Sequence, residues 1–151
     1  MPDLNTYSQR RKWSDANLEQ VKKVLGSKFI IEASFKADTE RGIDLVMPEL
    51  KFAVRIRQTQ YTNYKDFTIR SSGGGGRSEY AKLLDVRVRP DFLFYAFSLD
   101  KNSLMGGYLI DLAAWHASLI TKEIKPMFRR NKDGSHFVAF PFKSSYSEQI
   151  I

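Results

Sequence analysis

Residues 42–58 read GIDLVMPELKFAVRIRQ, and apolar and polar side chains alternate on both sides of the central Pro-Glu-Leu-Lys. This pattern predicts a β-hairpin with its tip near residues 49–50. Because side chains alternate along a strand, we expect Asp44, Arg55 and Arg57 to share one face of the hairpin. The opposite face is then the buried one, and it carries Ile43, Leu45, Val54 and Ile56.

One carboxylate and two guanidiniums on the same face allow two interpretations. In the first, the hairpin is simply amphipathic, and Asp44 and Arg55 form an ordinary cross-strand ion pair that meets water. In the second, Asp44, Arg55 and Arg57 form a functional site. The order of the elements around the hairpin favours the second interpretation.

Composition indicates one folded domain. The chain has 151 residues of which 42% are hydrophobic, enough for a core and too many for a disordered chain. No apolar run approaches the roughly 20 residues that a membrane-spanning helix needs, and residues 1–5 lack the pattern of a signal peptide. The absence of cysteine excludes disulfides, thiolate zinc sites and cysteine nucleophiles. We therefore expect a cytoplasmic protein.

The formal net charge of +7 favours a polyanionic partner, for which nucleic acid, and DNA in particular, is the expected class. The excess is uneven, because residues 51–89 contain nine Lys and Arg but only three Asp and Glu. A basic protein whose charge serves only solubility is the alternative. The residues expected to contact nucleic acid are Gln58, Arg77, Ser78, Lys82, Arg87 and Arg89.

Helix and strand patterns alternate along the chain. Residues 1–13 are interpreted as a flexible basic arm, and residues 14–151 as the domain. Ser14 is a suitable N-cap for a helix that ends near Leu25. A second predicted helix starts after Ser78, and a third starts after Asp111 and ends near Ile120. The predicted strands, besides the two of the hairpin, cover residues 28–35, 91–97, 107–110 and 135–142, and residues 67–70 either prolong the hairpin or form a short extra strand.

This order predicts a single α/β domain with a central mixed β-sheet flanked by helices. The nearly all-apolar residues 91–97 are typical of a central strand that is covered on both faces. Their four aromatic rings could stack on nucleobases, but core packing is the better interpretation of such density.

Several kinds of site are not supported by the sequence. Residues 73–76 are four glycines without the Lys-Ser or Lys-Thr of a P-loop, so they form either a mobile flap beside Arg77 and Ser78 or an unstructured connection. His116 and His136 lack a second metal ligand at short spacing and are expected to be surface residues. No Ser/His/Asp set indicates nucleophilic hydrolysis.

The order helix, strand, hairpin, helix, strand, with Asp44 on the second strand and Arg55-Ile56-Arg57 on the third, resembles the PD-(D/E)XK nuclease-like family. The resemblance covers residues 14–97 and implies a restriction endonuclease-like αβββαβ core with C-terminal additions. In that family, a helix carboxylate, a strand Asp and an (Asp/Glu)-x-Lys triplet hold one or two Mg²⁺ ions that help to cleave a phosphodiester. Glu19 and Asp44 match the two carboxylates by position, and Arg55 and Arg57 fall on the triplet.

The triplet departs from the family pattern. Mg²⁺ prefers anionic oxygen ligands, whereas Arg55 replaces a carboxylate with a fixed positive charge. Arg57 keeps the cation of the family lysine and can clamp a phosphate, but it is a poor base. Two replacements for the lost carboxylate are open: Glu32 on the preceding strand, or residues 49–51 (Glu-Leu-Lys) as the working triplet. Glu19 is alternatively part of an ordinary ion pair on the helix surface.

Three hypotheses follow from the sequence. The first is a Mg²⁺-dependent endonuclease with Asp44, Glu19 and Glu32 as ligands and with Asp44, Glu19, Arg55 and Arg57 as catalytic residues. The second is an inactive protein of the same fold that binds nucleic acid or a partner protein. The third is a structural or interaction protein. The resemblance also implies a homodimer, although the sequence has no coiled-coil heptads.

Overall fold

Two β-sheets and the helices packed on them form the framework of the described part of the protein. The structure, a computed structural model, describes residues 8–9, 12–13, 16–17, 20–21, 23–25, 50–72, 77–100 and 103–151. The seven strands in this part are β1 Phe52–Gln58, β2 Asp66–Arg70, β3 Phe92–Asp100, β4 Ser103–Asp111, β5 Met127–Arg130, β6 His136–Pro141 and β7 Ser147–Gln149. The helices are α1 Glu79–Leu84 and α2 Leu112–Ile120, and a 3-10 helix spans Thr59–Tyr64.

The first sheet is mixed and has the strand order β1-β3-β4-β7. β1 runs parallel to β3, whereas β3 with β4, and β4 with β7, are antiparallel. Parallel neighbours require a crossover connection, and the chain makes it through β2 and α1. Phe94, Tyr95 and Ala96 at the middle of β3 are almost completely buried, which confirms the prediction of a strand covered on both faces.

The second sheet is antiparallel and has the order β2-β6-β5. Of the two interpretations of residues 67–70, the extra strand is therefore the correct one, since β2 pairs with β6 and belongs to a different sheet from β1. β5 was not predicted. Its four residues, Met127 to Arg130, are all exposed and show no apolar alternation, so the sequence carries no strand pattern there.

The main core lies between the two sheets. Leu93 and Tyr95 of β3 face Phe67 of β2 and Phe140 of β6, and Trp115 of α2 closes the cluster. The ring centroids of Phe67 and Phe140 lie 5.5 Å apart, and those of Trp115 and Phe140 lie 5.1 Å apart. These contacts join the two sheets and α2 through one continuous set of buried side chains.

A second apolar cluster covers the other face of the first sheet. The described residues between positions 8 and 25 are all helical, and Trp13, Asn17, Val21 and Leu25 are buried at a spacing of four residues. Asn17 accepts a hydrogen bond from Ser98 of β3 at 2.8 Å and donates to the backbone oxygen of Trp13. This buried polar link fixes the helix against β3.

The predicted class, a small mixed α/β domain, is confirmed, but two details of the architecture are corrected. The strands form two sheets rather than one central sheet, because β2, β5 and β6 pair among themselves. Helical structure is also present before the predicted start at Ser14, since Ser8, Gln9, Lys12 and Trp13 are helical, while Ser14 itself lies outside the described residues. No helix in the described part of the chain is long and apolar enough to cross a membrane.

Two of the three predicted N-caps, Ser78 and Asp111, are confirmed, and the third, Ser14, lies outside the described residues. The side chain of Ser78 accepts a hydrogen bond from the backbone N–H of Ala81, and the side chain of Asp111 accepts one from Ala114. β4 begins at Ser103, four residues before its predicted start, and pairs closely with β3. The predicted strand at residues 28–35 and the first strand of the hairpin lie outside the described residues.

Candidate nucleic-acid interface

Arg55 and Arg57 lie on the face of β1 that points toward the second sheet. In the register of β1 and β3, Arg55 is opposite Tyr95 and Arg57 is opposite Phe97, both of which belong to the core between the sheets. Both arginines are half-buried, so the first interpretation, in which this face simply meets water, does not hold for them. Asp44, the predicted partner of Arg55, lies outside the described residues. The opposite face, with Ile56 buried against the N-terminal helix, is the apolar face that the pattern predicted.

Arg55 is held by a carboxylate. Its Nη1 donates to Oε2 of Glu79, the first residue of α1, at 3.1 Å. The same Oε2 also accepts the backbone N–H of Arg70 at 3.3 Å, so Glu79 links β1, β2 and α1. The Arg55 Nε is buried and has no hydrogen-bond partner among the described residues. Glu79 therefore neutralises Arg55 without using all of its donors.

Arg57 has neutral partners. Its Nη1 donates to the hydroxyl of Thr68 in β2 at 2.7 Å, and its guanidinium lies 4.2 Å from the centre of the Tyr61 ring. Thr68 is itself 3.2 Å from the Tyr95 hydroxyl, which connects this contact to the core. The guanidinium of Arg57 is thus fixed by a hydrogen bond and a cation–π contact, and neither contact cancels its charge.

Asp66, the first residue of β2, is an acidic group on which the charge of Arg57 acts. Burial raises the pKa of the Asp66 carboxyl, and the positive charges of Arg129 and Arg57 partly oppose this rise. Burial is the larger effect. Arg57 and Arg129 therefore both act electrostatically on the partly desolvated carboxyl of Asp66.

The second group of predicted cations is largely engaged within the protein. Asp85 accepts two hydrogen bonds from the Arg87 side chain, at 3.1 Å each, and one from Arg77 at 2.9 Å. These bonds, those of Arg87 first, hold the pKa of the Asp85 carboxyl well below its usual range. Arg89 lies with its Nη1 2.7 Å from Nδ1 of His116. Burial, and then the charge of Arg89, lowers the pKa of His116.

The remaining predicted contact residues differ in their surroundings. Ser78 uses its hydroxyl to cap α1. Lys82 is exposed on α1 and lines an open hollow of about 440 Å³ together with Arg77 and Glu79. Gln58 is half-buried at the end of β1. The four glycines at residues 73–76 lie outside the described residues.

The described residues at the triplet do not fit Mg²⁺. Arg55 presents a guanidinium where the resemblance expects a carboxylate, and such a donor repels a cation. The expected ligands lie outside the described residues; they are Glu19, Glu32 and Asp44. Glu49, the carboxylate of the alternative triplet, also lies outside them. Within the described part of the chain, no three His, Asp or Glu side chains are grouped as a metal site would require.

Three contributors to the site were not predicted from the sequence. Glu79 and Thr68 reach the arginines only because α1 and β2 fold back beside β1, which no local pattern reveals. Tyr61 had a detectable pattern, because Tyr61 and Tyr64 are three residues apart and side chains at that spacing are aligned in a 3-10 helix.

The ion pair between Arg55 and Glu79 predicts that removal of the Glu79 charge strengthens DNA binding. Changing Glu79→Gln removes a negative charge beside Arg55 and Arg70, so we expect binding of a short DNA oligonucleotide to become about 2- to 10-fold tighter at low ionic strength. Fluorescence anisotropy measures this change. Glu123→Gln, which alters the same charge on an exposed residue after α2, is the matched control and should have a smaller effect. Weaker binding by the Glu79 variant would contradict the assignment of this site.

The chain was compared with protein-family models, with curated proteins and with solved structures, and nothing in any of the three matches it.

Proposed function

We propose that this protein binds nucleic acid through the half-buried arginines of β1, on a scaffold of the PD-(D/E)XK nuclease-like type. The observation that supports the proposal most strongly is the environment of Arg57. Its half-buried guanidinium is oriented by Thr68 and Tyr61, both of them neutral, so that neither of these contacts cancels its positive charge.

A guanidinium in this state is well suited to a phosphate. Arginine carries five N–H donors in a planar arrangement that matches two phosphate oxygens. Only Nη1 of Arg57 has a hydrogen-bond partner in the described part of the chain. The side chain is already ordered, so less conformational freedom is lost when a ligand binds.

The surrounding charge agrees with this ligand class. The net charge of +7 attracts polyanions over long range, and exposed Arg70 adds positive charge two residues after Thr68, the partner of Arg57. Arg77 and Arg87 share the single carboxylate of Asp85, so this second group also retains a net positive charge. We place the main phosphate contact at Arg57 and secondary contacts at Lys82, Arg87 and Arg89.

The nuclease-like scaffold is supported by the order of the elements. In the described part of the chain, a helix precedes β1, and α1 lies on the crossover that returns the chain to β3, parallel to β1. The resemblance implies the same succession of helix, strands, helix and strand. β4 to β7 and α2, which follow residue 97, then supply C-terminal additions to this core, whereas β2 lies within the core region of the sequence and pairs with β6. We also propose that the protein acts in the cytoplasm.

A Mg²⁺-dependent endonuclease is the second candidate. It is favoured by the position of Arg57, which corresponds to the cation of the family triplet. Asp44, Glu19 and Glu32 would hold the metal, which would supply an activated water for phosphodiester hydrolysis. Because Arg55 does not fit a metal site, binding without cleavage is the preferred proposal.

Two measurements on the wild-type protein test these proposals together. We expect a short DNA oligonucleotide to bind at low salt, with an affinity that falls steeply as salt rises, because phosphate contacts release counterions. We expect supercoiled plasmid to stay intact in the presence of Mg²⁺ or Mn²⁺. Cutting that disappears in Asp44→Ala would instead establish the endonuclease. No binding at low salt would contradict both proposals and favour a partner protein or a second copy of the chain as the ligand.

A further inference from the structure

The 3-10 helix after β1 carries a stack of side chains that begins at Arg57. Tyr61 lies over the guanidinium of Arg57 at 4.2 Å. The ring centroid of Tyr64 lies 6.3 Å from that of Tyr61, and the two planes are inclined by 30°. Because 3-10 helices have three residues per turn, positions 61 and 64 project from the same side, and the stack continues outward.

The outer member of this stack is exposed. Tyr64 has 69% of its surface accessible, whereas Tyr61 is half-buried and packs against the core between the sheets. A large aromatic side chain that is exposed yet ordered by a ring beneath it offers a flat apolar face to solvent. The next residue, Lys65, is exposed and adopts a left-handed backbone conformation with φ of 52°. A cation therefore follows Tyr64 directly in the sequence.

We propose that Tyr64 is a stacking platform for an unpaired nucleobase, so that the ligand of this surface is single-stranded nucleic acid. This inference rests on the proposed nucleic-acid binding and names its substrate class. Arg57 and Lys65 contact the backbone phosphates, and the base next to them stacks on the Tyr64 ring.

The combination of an aromatic face and cations selects a single strand over a duplex. In a duplex, both faces of each base are already stacked on neighbours, and a tyrosine on the protein surface cannot reach them. In a single strand, bases are free to stack on aromatic side chains while the phosphates contact Lys and Arg. A protein partner could pair carboxylates with Arg57 and Lys65, but it would offer no nucleobase to stack on the Tyr64 ring.

The test compares Tyr64→Ala with Tyr64→Phe on two probes, a single-stranded DNA oligonucleotide and an abasic strand of the same length. The alanine variant should bind the oligonucleotide about 5- to 150-fold more weakly, because one base loses its stacking partner. It should bind the abasic strand as the wild type does, since phosphates are unaffected. The phenylalanine variant keeps the ring face and should match the wild type on both probes.

A third variant reports stacking directly. Trp13 and Trp115 are buried, so Tyr64→Trp introduces an exposed indole whose fluorescence should be quenched by the oligonucleotide and not by the abasic strand. Unchanged oligonucleotide binding by Tyr64→Ala, or equal losses on both probes, would overturn the stacking proposal. Failure of nucleic-acid binding itself is distinguishable, because the wild type would then bind neither probe.

Discussion

Replacing Trp115 by alanine is expected to lower the free energy of unfolding by about 3–5 kcal/mol, the usual cost of truncating a large buried aromatic side chain. Trp115 is completely buried and its ring meets those of Phe140 in β6 and Tyr80 in α1 edge to face. It therefore joins α2 to α1 and the second sheet, and no neighbouring side chain can fill the volume that it leaves.

Urea unfolding followed by circular dichroism measures this loss. Ile120→Ala is the matched control, since Ile120 is on the same helix with 70% of its surface exposed and should change stability by less than about 0.5 kcal/mol. Trp115→Phe should cost less than the alanine variant, because it keeps most of the ring contacts and removes an N–H that has no partner among the described residues. Equal stability of the Trp115→Ala and Ile120→Ala variants would contradict the conclusion that Trp115 joins α2 to α1 and the second sheet.

The second large effect is expected from Arg57→Ala. Removing the guanidinium should weaken binding of single-stranded DNA by about 1.5–3 kcal/mol, or roughly 10- to 150-fold, the range for a hydrogen bond that involves a charged group. Arg57→Lys keeps the charge but loses the forked geometry, so it should recover only part of the affinity. Anisotropy titrations at one low salt concentration compare the variants.

Lys125 supplies the control for charge. It is exposed in the segment after α2, and Lys125→Ala removes the same unit of charge from the protein. Its effect on affinity should be small, because exposed charges that lie more than about 10 Å from a ligand are screened by salt. If Lys125→Ala and Arg57→Ala weaken binding equally, the protein attracts DNA through its net charge alone. The proposal of a specific phosphate contact at Arg57 would then be wrong.

Local patterns in the sequence were sufficient for the capped helices and for the strand at the centre of the first sheet. Ser78 and Asp111 were recognisable as caps because side-chain oxygens at helix starts satisfy free backbone N–H groups. β3 was recognisable because burial on both faces requires a continuous apolar run. These features depend on nearby residues only.

Long-range pairing could not be predicted in the same way. β2 follows β1 in the chain but does not join the first sheet. It pairs instead with β6, about seventy residues later, and no local pattern encodes that partner. This pairing also changed the interpretation of Arg55 and Arg57. Their strand face alternates as a water-facing surface would, but β2 and α1 cover part of it and supply Thr68 and Glu79 as partners.

Only some residues of the candidate site could be predicted from the sequence. Arg55 and Arg57 were recognised by their position on the strand, whereas the stack from Arg57 to Tyr64 depends on a 3-10 helix that the sequence pattern did not reveal. The carboxylates that the resemblance assigns to a metal, Glu19, Glu32 and Asp44, stay predictions.

The most direct test of the account is the salt dependence of DNA binding by the wild type and by Arg57→Ala. For each phosphate that a protein neutralises, the slope of log affinity against log salt concentration changes by about 0.7 on a single strand and about 0.9 on a duplex. We predict that Arg57→Ala makes the slope on single-stranded DNA shallower by about 0.7, the change expected for the loss of one phosphate contact. Identical slopes for the two proteins would show that Arg57 contacts no phosphate and would contradict the proposed function at its centre.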